Sequence, residues 1–303
     1  MRVLVTGASG FVGRATCAEL RSRGHTPVAL VRRPGSEPEG TEAVVGDIAS
    51  EDAGRLNEAV ASAAPDCIIH LAAEIASQKS EEKIRATNID GTRRLIEAAV
   101  AAGGPKFVFC STVVTGEAHG SLLEPDSPLP VETPYGRSKQ EGERLLRESG
   151  LPHVIVRPSH VYGRGGWYEK EFVNRLLQPG RFAVIGRGDN WWDVVRVEDV
   201  AAALVSAAER GADGAVFHVV DDEPIRYYDF IALTAKALGV GPPRRIPAGL
   251  ARLVGGRHAV TAVVRSARSS NAFLKESLDW APQYPSAEVG VPDAVAAIRA
   301  ARG

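Results

Sequence analysis

Arg2-Val3-Leu4-Val5-Thr6-Gly7-Ala8-Ser9-Gly10-Phe11-Val12-Gly13 decides how this chain folds. The apolar run Val3–Val5 has the length of a buried strand. It stops at glycines 7, 10 and 13, and a helical pattern runs from Phe11 to Arg23, where Gly24 ends it. A strand, a glycine turn and a helix in that order suit a phosphate. The first glycine lets the chain turn, the second lets backbone approach a pyrophosphate, and the third lets helix and strand pack closely. The helix N-terminus then faces the negative charge. The stretch predicts dinucleotide binding through Gly7, Ser9, Gly10, Phe11, Val12 and Gly13.

The rest of the composition is compatible with this reading and excludes others. The chain has 303 residues, 44% hydrophobic and 24% charged, which supplies a full core and argues against disorder. Its 36 basic and 37 acidic residues give a net charge of −1, so nothing points to a nucleic-acid or membrane-surface partner. The three cysteines, Cys17, Cys67 and Cys110, lack metal-ligand spacing and lie in apolar segments. They predict reduced thiols and no metal. No signal-peptide pattern or bilayer-spanning run is present, and a cytoplasmic location is expected.

Downstream, strand and helix alternate. Apolar runs at 28–31, 43–45, 67–71, 107–110 and 154–156 read as strands, and 51–63, 82–102 and 135–149 as helices. Strands this apolar are buried on both faces, as in a parallel sheet covered by helices. The predicted class is α/β, a Rossmann-type doubly wound parallel sheet. After Pro158 the rhythm breaks. Residues 1–163, with returning segments at 191–220, are expected to form the nucleotide-binding domain. Residues 164–190 and 221–303 are expected to form a smaller C-terminal substrate lobe.

Two further features carry chemistry. The second strand ends at Arg32-Arg33, where an acidic residue would bind ribose hydroxyls and an arginine suits a 2′-phosphate, so NADP is favoured over NAD. Asp47, closing the third strand, is placed either to meet the adenine amine or to cap its own turn. Tyr135 and Lys139 stand four apart, on one face of a helix. An ammonium beside a phenol favours the phenolate and should lower the tyrosine pKa. Ser111 or Thr112, just past the fifth strand, can polarise a substrate oxygen, which completes a proton relay for carbonyl–alcohol chemistry.

With these motifs the chain resembles the extended short-chain dehydrogenase/reductases, the NAD-dependent epimerase/dehydratase group. The resemblance runs through Gly46-Asp47-Ile48, His70-Leu71-Ala72-Ala73, Thr87 to Thr92, Ser111-Thr112, Tyr135 to Lys139, Arg157 to Gly163, Val197 to Ala201 and Leu278 to Pro282. It implies that Tyr135 is the acid/base and that Lys139 also holds the nicotinamide ribose. It implies further cofactor contacts along Asp47, Ile48, Leu71, Ala72, Ala73 and Cys110, and at Pro158, Ser159, His160 and Val161. Thr112 aligns with the catalytic hydroxyl, with Ser111 as the alternative. Asn88 and His70 are expected to be structural. A homodimer through the helices near 87–102 and 135–149 is also implied.

The chain departs from the family pattern in two places. Sugar-nucleotide dehydratases carry an Asp-Glu pair where Val113-Val114 stands, so dehydration is not expected. Many nucleotide-sugar epimerases place an arginine where Trp192 stands. Trp192 offers a stacking face and one donor but no charge. Arg187, Arg196, Arg265 and Arg268 are candidates to compensate. Val113, His160, Trp167, Tyr168, Trp191 and Trp192 are the candidate substrate contacts. The expected function is NAD(P)-dependent hydride transfer at a secondary alcohol or ketone of a small molecule. The alternatives are a nucleotide-sugar epimerase with tightly bound NAD and a non-catalytic cofactor sensor.

Overall fold

Seven parallel strands form the centre of the molecule, in the spatial order β3-β2-β1-β4-β5-β6-β7. They are β1 (Arg2–Thr6), β2 (Thr26–Val31), β3 (Glu42–Val45), β4 (Cys67–His70), β5 (Lys106–Cys110), β6 (His153–Pro158) and β7 (Val216–Val219). The computed structural model describes all residues except 76, 79, 179, 181, 248–264 and 303. Part of the expected substrate lobe, 248–264, therefore lies outside the described residues.

Alternate side chains of each strand point to opposite faces, and each face has its own core. Val3 and Val5 of β1 pack with Cys17 and Leu20 of α1 (Phe11–Ser22) and with Val200, Leu204 and Ala207 of the helix Val197–Arg210. Leu4 packs on the other side with α2 (Ala53–Ala63), α3 (Thr92–Ala101) and α4 (Pro134–Glu148), through Leu56, Leu95 and Leu146. A doubly covered parallel sheet is thus present, as the apolar runs imply.

Three details differ from expectation. The stretch 82–102 is not one helix. A short helix, Glu81–Ile84, passes into a π-helical turn over Arg85–Gly91 before α3 begins. Asn88, inside that turn, uses its side-chain amide on the backbone of Glu74, accepting from its N–H at 2.7 Å and donating to its carbonyl at 2.9 Å. That tertiary demand, not local pattern, sets the wide turn. Secondly, Val194–Arg196 does not rejoin the sheet. It pairs with His160–Tyr162 as a separate parallel ribbon, and only β7 returns.

Thirdly, the two hydrophobic cores interleave along the chain. Leu274, Leu278 and Trp280 belong to the sheet-side core, while Tyr162, Trp192 and Val194 belong to the lobe core with Phe172, Phe230 and Val291. The returning segment is therefore shared, and the C-terminal stretch 272–280 serves the nucleotide fold.

Candidate active site

The glycine turn is fixed by sterics. Gly7 has φ +67°, in the left-handed region, and a Cβ there would lie 2.8 Å from the Ala72 nitrogen. A Cβ on Gly13 would fall 2.2 Å from the Gly7 carbonyl oxygen and 2.7 Å from Ala8 Cα. Gly10 N–H donates to the Gly7 carbonyl at 2.9 Å. No side chain caps α1, so its first-turn amides have no helical acceptor and face the turn's mouth. Such a cradle fits a pyrophosphate. The Phe11 ring lies against Gly163 and Gly166, where added Cβ atoms would come 3.4 and 2.6 Å from it. Its side chain is therefore an anchor for that loop, which leaves its backbone as the part facing the turn.

Thr6 ties the turn to the next strand. Its hydroxyl accepts from the N–H groups of Leu71 and Ala72, both at 3.1 Å, and donates to His70 Nδ1 at 2.6 Å. His70 is completely buried and is held neutral, its pKa pushed down to about 3 by burial, with Lys139 adding to the effect. Its Nε2–H donates to Thr92 Oγ1 at 2.9 Å, and the Thr92 hydroxyl donates to the Asn88 carbonyl. Asn88 also donates to Ser138 Oγ, whose own proton goes to the Tyr135 carbonyl. His70 and Asn88 are thus structural, and they join the cofactor turn to the helix of Tyr135.

Thr133 caps α4 by accepting from Gly136 N–H at 2.9 Å, and Pro134 opens the first turn. Tyr135 and Lys139 then lie one turn apart, and Lys139 is buried. Lys139 Nζ sits 4.2 Å above the Phe109 ring, a contact that holds a cation without neutralising it. Gly142 allows this, since a Cβ there would reach within 2.6 Å of the same ring. Burial pushes Lys139 down to about 8, against the pull of Cys110 and Glu143. Burial also raises Tyr135, and Cys110 raises it further. The expected depression of Tyr135 is therefore absent. Lys139 is buried and Tyr135 half-buried beside it, and partial desolvation penalises each charged form.

Thr112 donates to the Pro158 carbonyl at 3.2 Å and accepts from Val114 N–H at 2.9 Å. Ser111 has a buried hydroxyl with no well-formed partner, close enough to Glu143 to act on its carboxyl. Glu143 was not anticipated. It is the fourth residue after Lys139, hence on the same face, and it holds Arg157 through two bonds of 2.7 and 2.8 Å. Arg157 also donates to the Pro125 carbonyl.

Beyond Pro158 and Ser159, His160 stacks on Trp192, with centroids 3.7 Å apart and planes at 18°, while Trp167 meets it edge-on. Trp191, on the opposite side of the same strand, lies under the Arg226 guanidinium at 3.4 Å, with Arg268 at 5.4 Å. The adjacent tryptophans therefore do not share a pocket, and only Trp192 accompanies His160. Two other candidates are corrected. Tyr168 is fully buried in the lobe core, bonded to Thr234, and Val113 is fully buried too, so neither side chain can touch a ligand.

The arginines expected to replace a diphosphate contact are mostly engaged. Arg265, 4% exposed, donates to the carbonyls of Val113 and Gly116. Arg196 pairs with Glu198 and Asp293, and Arg187 with Asp189 on the surface. Arg268 donates to the Gly120 carbonyl and lies near enough to Asp193 to act on its carboxyl. Arg32 and Arg33 are exposed at the end of β2 without a side-chain partner there. Asp47 accepts from Ala49 N–H at 2.9 Å, which is the turn-capping role, and its second oxygen stays open.

A doubly wound nucleotide fold carrying a Tyr–Lys pair, a threonine hydroxyl and a glycine turn defines a dinucleotide-dependent enzyme of the short-chain type. The sequence pattern of the NAD dependent epimerase/dehydratase family matches residues 3–220, and the chain belongs to that family. It is 32% identical over 299 residues to a 3-diazoavenalumate denitrifying reductase from a Streptomyces species, covering 94% of this chain and 97% of that one. It is 30% identical over 315 residues to the UDP-glucose 4-epimerase of Mycolicibacterium smegmatis, covering 95% and 96%. Among solved structures, the Thermus thermophilus UDP-glucose 4-epimerase complex with NAD superposes with a TM-score of 0.84 at 25% identity, covering 99% and 100%.

Proposed function

We propose that the chain is an NAD(P)-dependent oxidoreductase acting on a secondary alcohol or ketone of a small molecule. When bound, the nicotinamide dinucleotide supplies or takes the hydride at the carbonyl carbon. The observation that carries the reading is the convergence of Tyr135 and Lys139, one turn apart on α4, with Lys139 buried and its Nζ 4.2 Å above the Phe109 ring of β5. The Tyr135 hydroxyl gives or takes the proton at the substrate oxygen. Thr112, at the adjoining strand end, would polarise that oxygen by turning its hydroxyl proton away from the Pro158 carbonyl, while Ser111 is directed to Glu143. Lys139, the one buried ammonium beside the phenol, offsets negative charge as Tyr135 loses its proton. Tyr135→Phe should abolish turnover and leave cofactor binding intact. Full turnover in that variant would refute the mechanism.

The residues that would hold the dinucleotide are the first-turn amides of α1, the backbone of Leu71 to Ala73, and Lys139 at the nicotinamide ribose. Exposed Arg32, helped by Arg33, supports NADP over NAD. The relatives that are epimerases favour a second reading, transient oxidation of a nucleotide sugar. Trp192 and the engagement of Arg196 and Arg265 weigh against it, because neither of these arginines is free to meet a diphosphate. Denaturing purified protein separates the two. Near-stoichiometric NAD(H) release would favour the epimerase, and an empty site preferring NADPH the reductase.

A homodimer through α3 and α4 is also proposed. Val100 is the only exposed large apolar side chain on these helices, and Glu141, Arg144 and Glu148 of the outward face pair among themselves. Light scattering showing a monomer at micromolar concentration would remove it. All three cysteines are free thiols, which supports a reducing, cytoplasmic setting. No described helix is long and apolar enough to cross a membrane.

A further inference from the structure

We propose that His160 Nε2 accepts a hydrogen bond from a substrate hydroxyl, so that this site selects an uncharged, hydroxyl-bearing ketone or alcohol over a nucleotide diphosphate. The inference rests on the oxidoreductase reading and adds the substrate class.

The backbone N–H and ring Nδ1 of His160 both meet the Asp193 carbonyl, at 3.3 and 2.8 Å. A carbonyl only accepts, so Nδ1 carries the ring proton and Nε2 carries the lone pair. Among the described residues Nε2 has no hydrogen-bond partner and is not one of the buried atoms left without one, and His160 as a whole is half-buried. The ring cannot turn away, because Trp192 stacks on one face and Trp167 meets it edge-on. Burial and Arg265 keep the imidazole neutral, at about 3.

Its place in the chain puts this acceptor beside the chemistry. Pro158, two residues earlier, takes the Thr112 hydroxyl and the Val113 N–H on its carbonyl. A phosphate oxygen at Nε2 would set lone pair against lone pair, next to an uncharged indole. A hydroxyl would be matched there. The Arg265 guanidinium, 4% exposed, spends its Nε and one Nη on the carbonyls of Gly116 and Val113, so it acts on His160 through its charge and not by direct contact with a ligand.

The test is binding, not turnover. Calorimetric titration, with NADP+ or NAD+ at saturation, compares the three hydroxyacetophenone isomers with their methyl ethers and with UDP. At least one hydroxy isomer should bind about five- to tenfold tighter than its ether, the value of one net hydrogen bond. That ratio should fall toward one in His160→Phe and return in part in His160→Gln, whose amide oxygen can accept. Equal binding of every hydroxy–methoxy pair, an unchanged ratio in both variants, or UDP binding tighter than any hydroxy ketone would overturn the proposal. Loss of the oxidoreductase reading would show separately, as full turnover in Tyr135→Phe.

Discussion

Arg157→Met would break the ion pair beneath the site and should be among the most destabilising single changes in the protein. Arg157 and Glu143 have side chains 9% and 2% exposed and share two hydrogen bonds of 2.7 and 2.8 Å. With Arg157 gone, Glu143 keeps Arg147, whose side chain is 44% exposed and screened by water. Removing one partner of a buried pair costs about 3–5 kcal/mol, since the remaining charge stays desolvated. For a chain of this size that lowers Tm by about 5–8 °C. The assay is thermal and urea unfolding at pH 7 of Arg157→Met, Glu143→Leu and the double variant. The double variant should lose less than the sum of the singles, because it leaves no orphan charge. A loss under about 1 kcal/mol for Arg157→Met, or additive losses in the double variant, would refute the reasoning. The pH response follows from the same pair. Arg157 holds the Glu143 carboxyl below its ordinary value against burial. The pair's stabilisation is therefore present above the unfolded carboxylate pKa and is lost as pH falls through the lower folded value.

Other outcomes follow from the geometry. Gly13→Ala puts a methyl against the Gly7 carbonyl, should cost about 1–3 kcal/mol, and should weaken dinucleotide binding at least about tenfold by fluorescence titration. Arg32→Ser with Arg33→Ser should cut the NADPH-over-NADH preference by about ten- to a hundredfold in Kd, the value of a charge-assisted bond. Lys139 is disfavoured as an ammonium in the fold, so its penalty is complete below about pH 8 and is relieved as pH rises from there toward 10.5. Stability of the cofactor-free protein should thus gain about 3 kcal/mol over that range relative to Lys139→Met. Parallel pH curves for the two proteins would contradict this.

The sheet was legible because its strands are short apolar runs bounded by glycine or charge, and buried parallel strands look like nothing else of that length. The Tyr135–Lys139 pair was legible because helical spacing alone puts both on one face. Their proton affinities were not, since these depend on how deeply the pair is buried. The break at Arg85–Gly91 was hidden for a similar reason, as it answers the distant backbone of Glu74. Arg265 was equally opaque, because its partners, Val113 and Gly116, are carbonyls half the chain away. Two features could have been found earlier. Trp191 and Trp192 follow each other in a strand and must face apart. Glu143 repeats the helical spacing of Tyr135 and Lys139.

The Phe11 wedge has a consequence for how such a chain can change over time. Its ring fills the space left by the missing side chains of Gly163 and Gly166, at the doorway where the chain leaves the nucleotide fold for the lobe. A larger residue at either glycine would press on Phe11, and through it on the turn that cradles phosphate. The lobe is free to diversify for new substrates, but its first few residues are not, because they answer to the cofactor from the other end of the sequence.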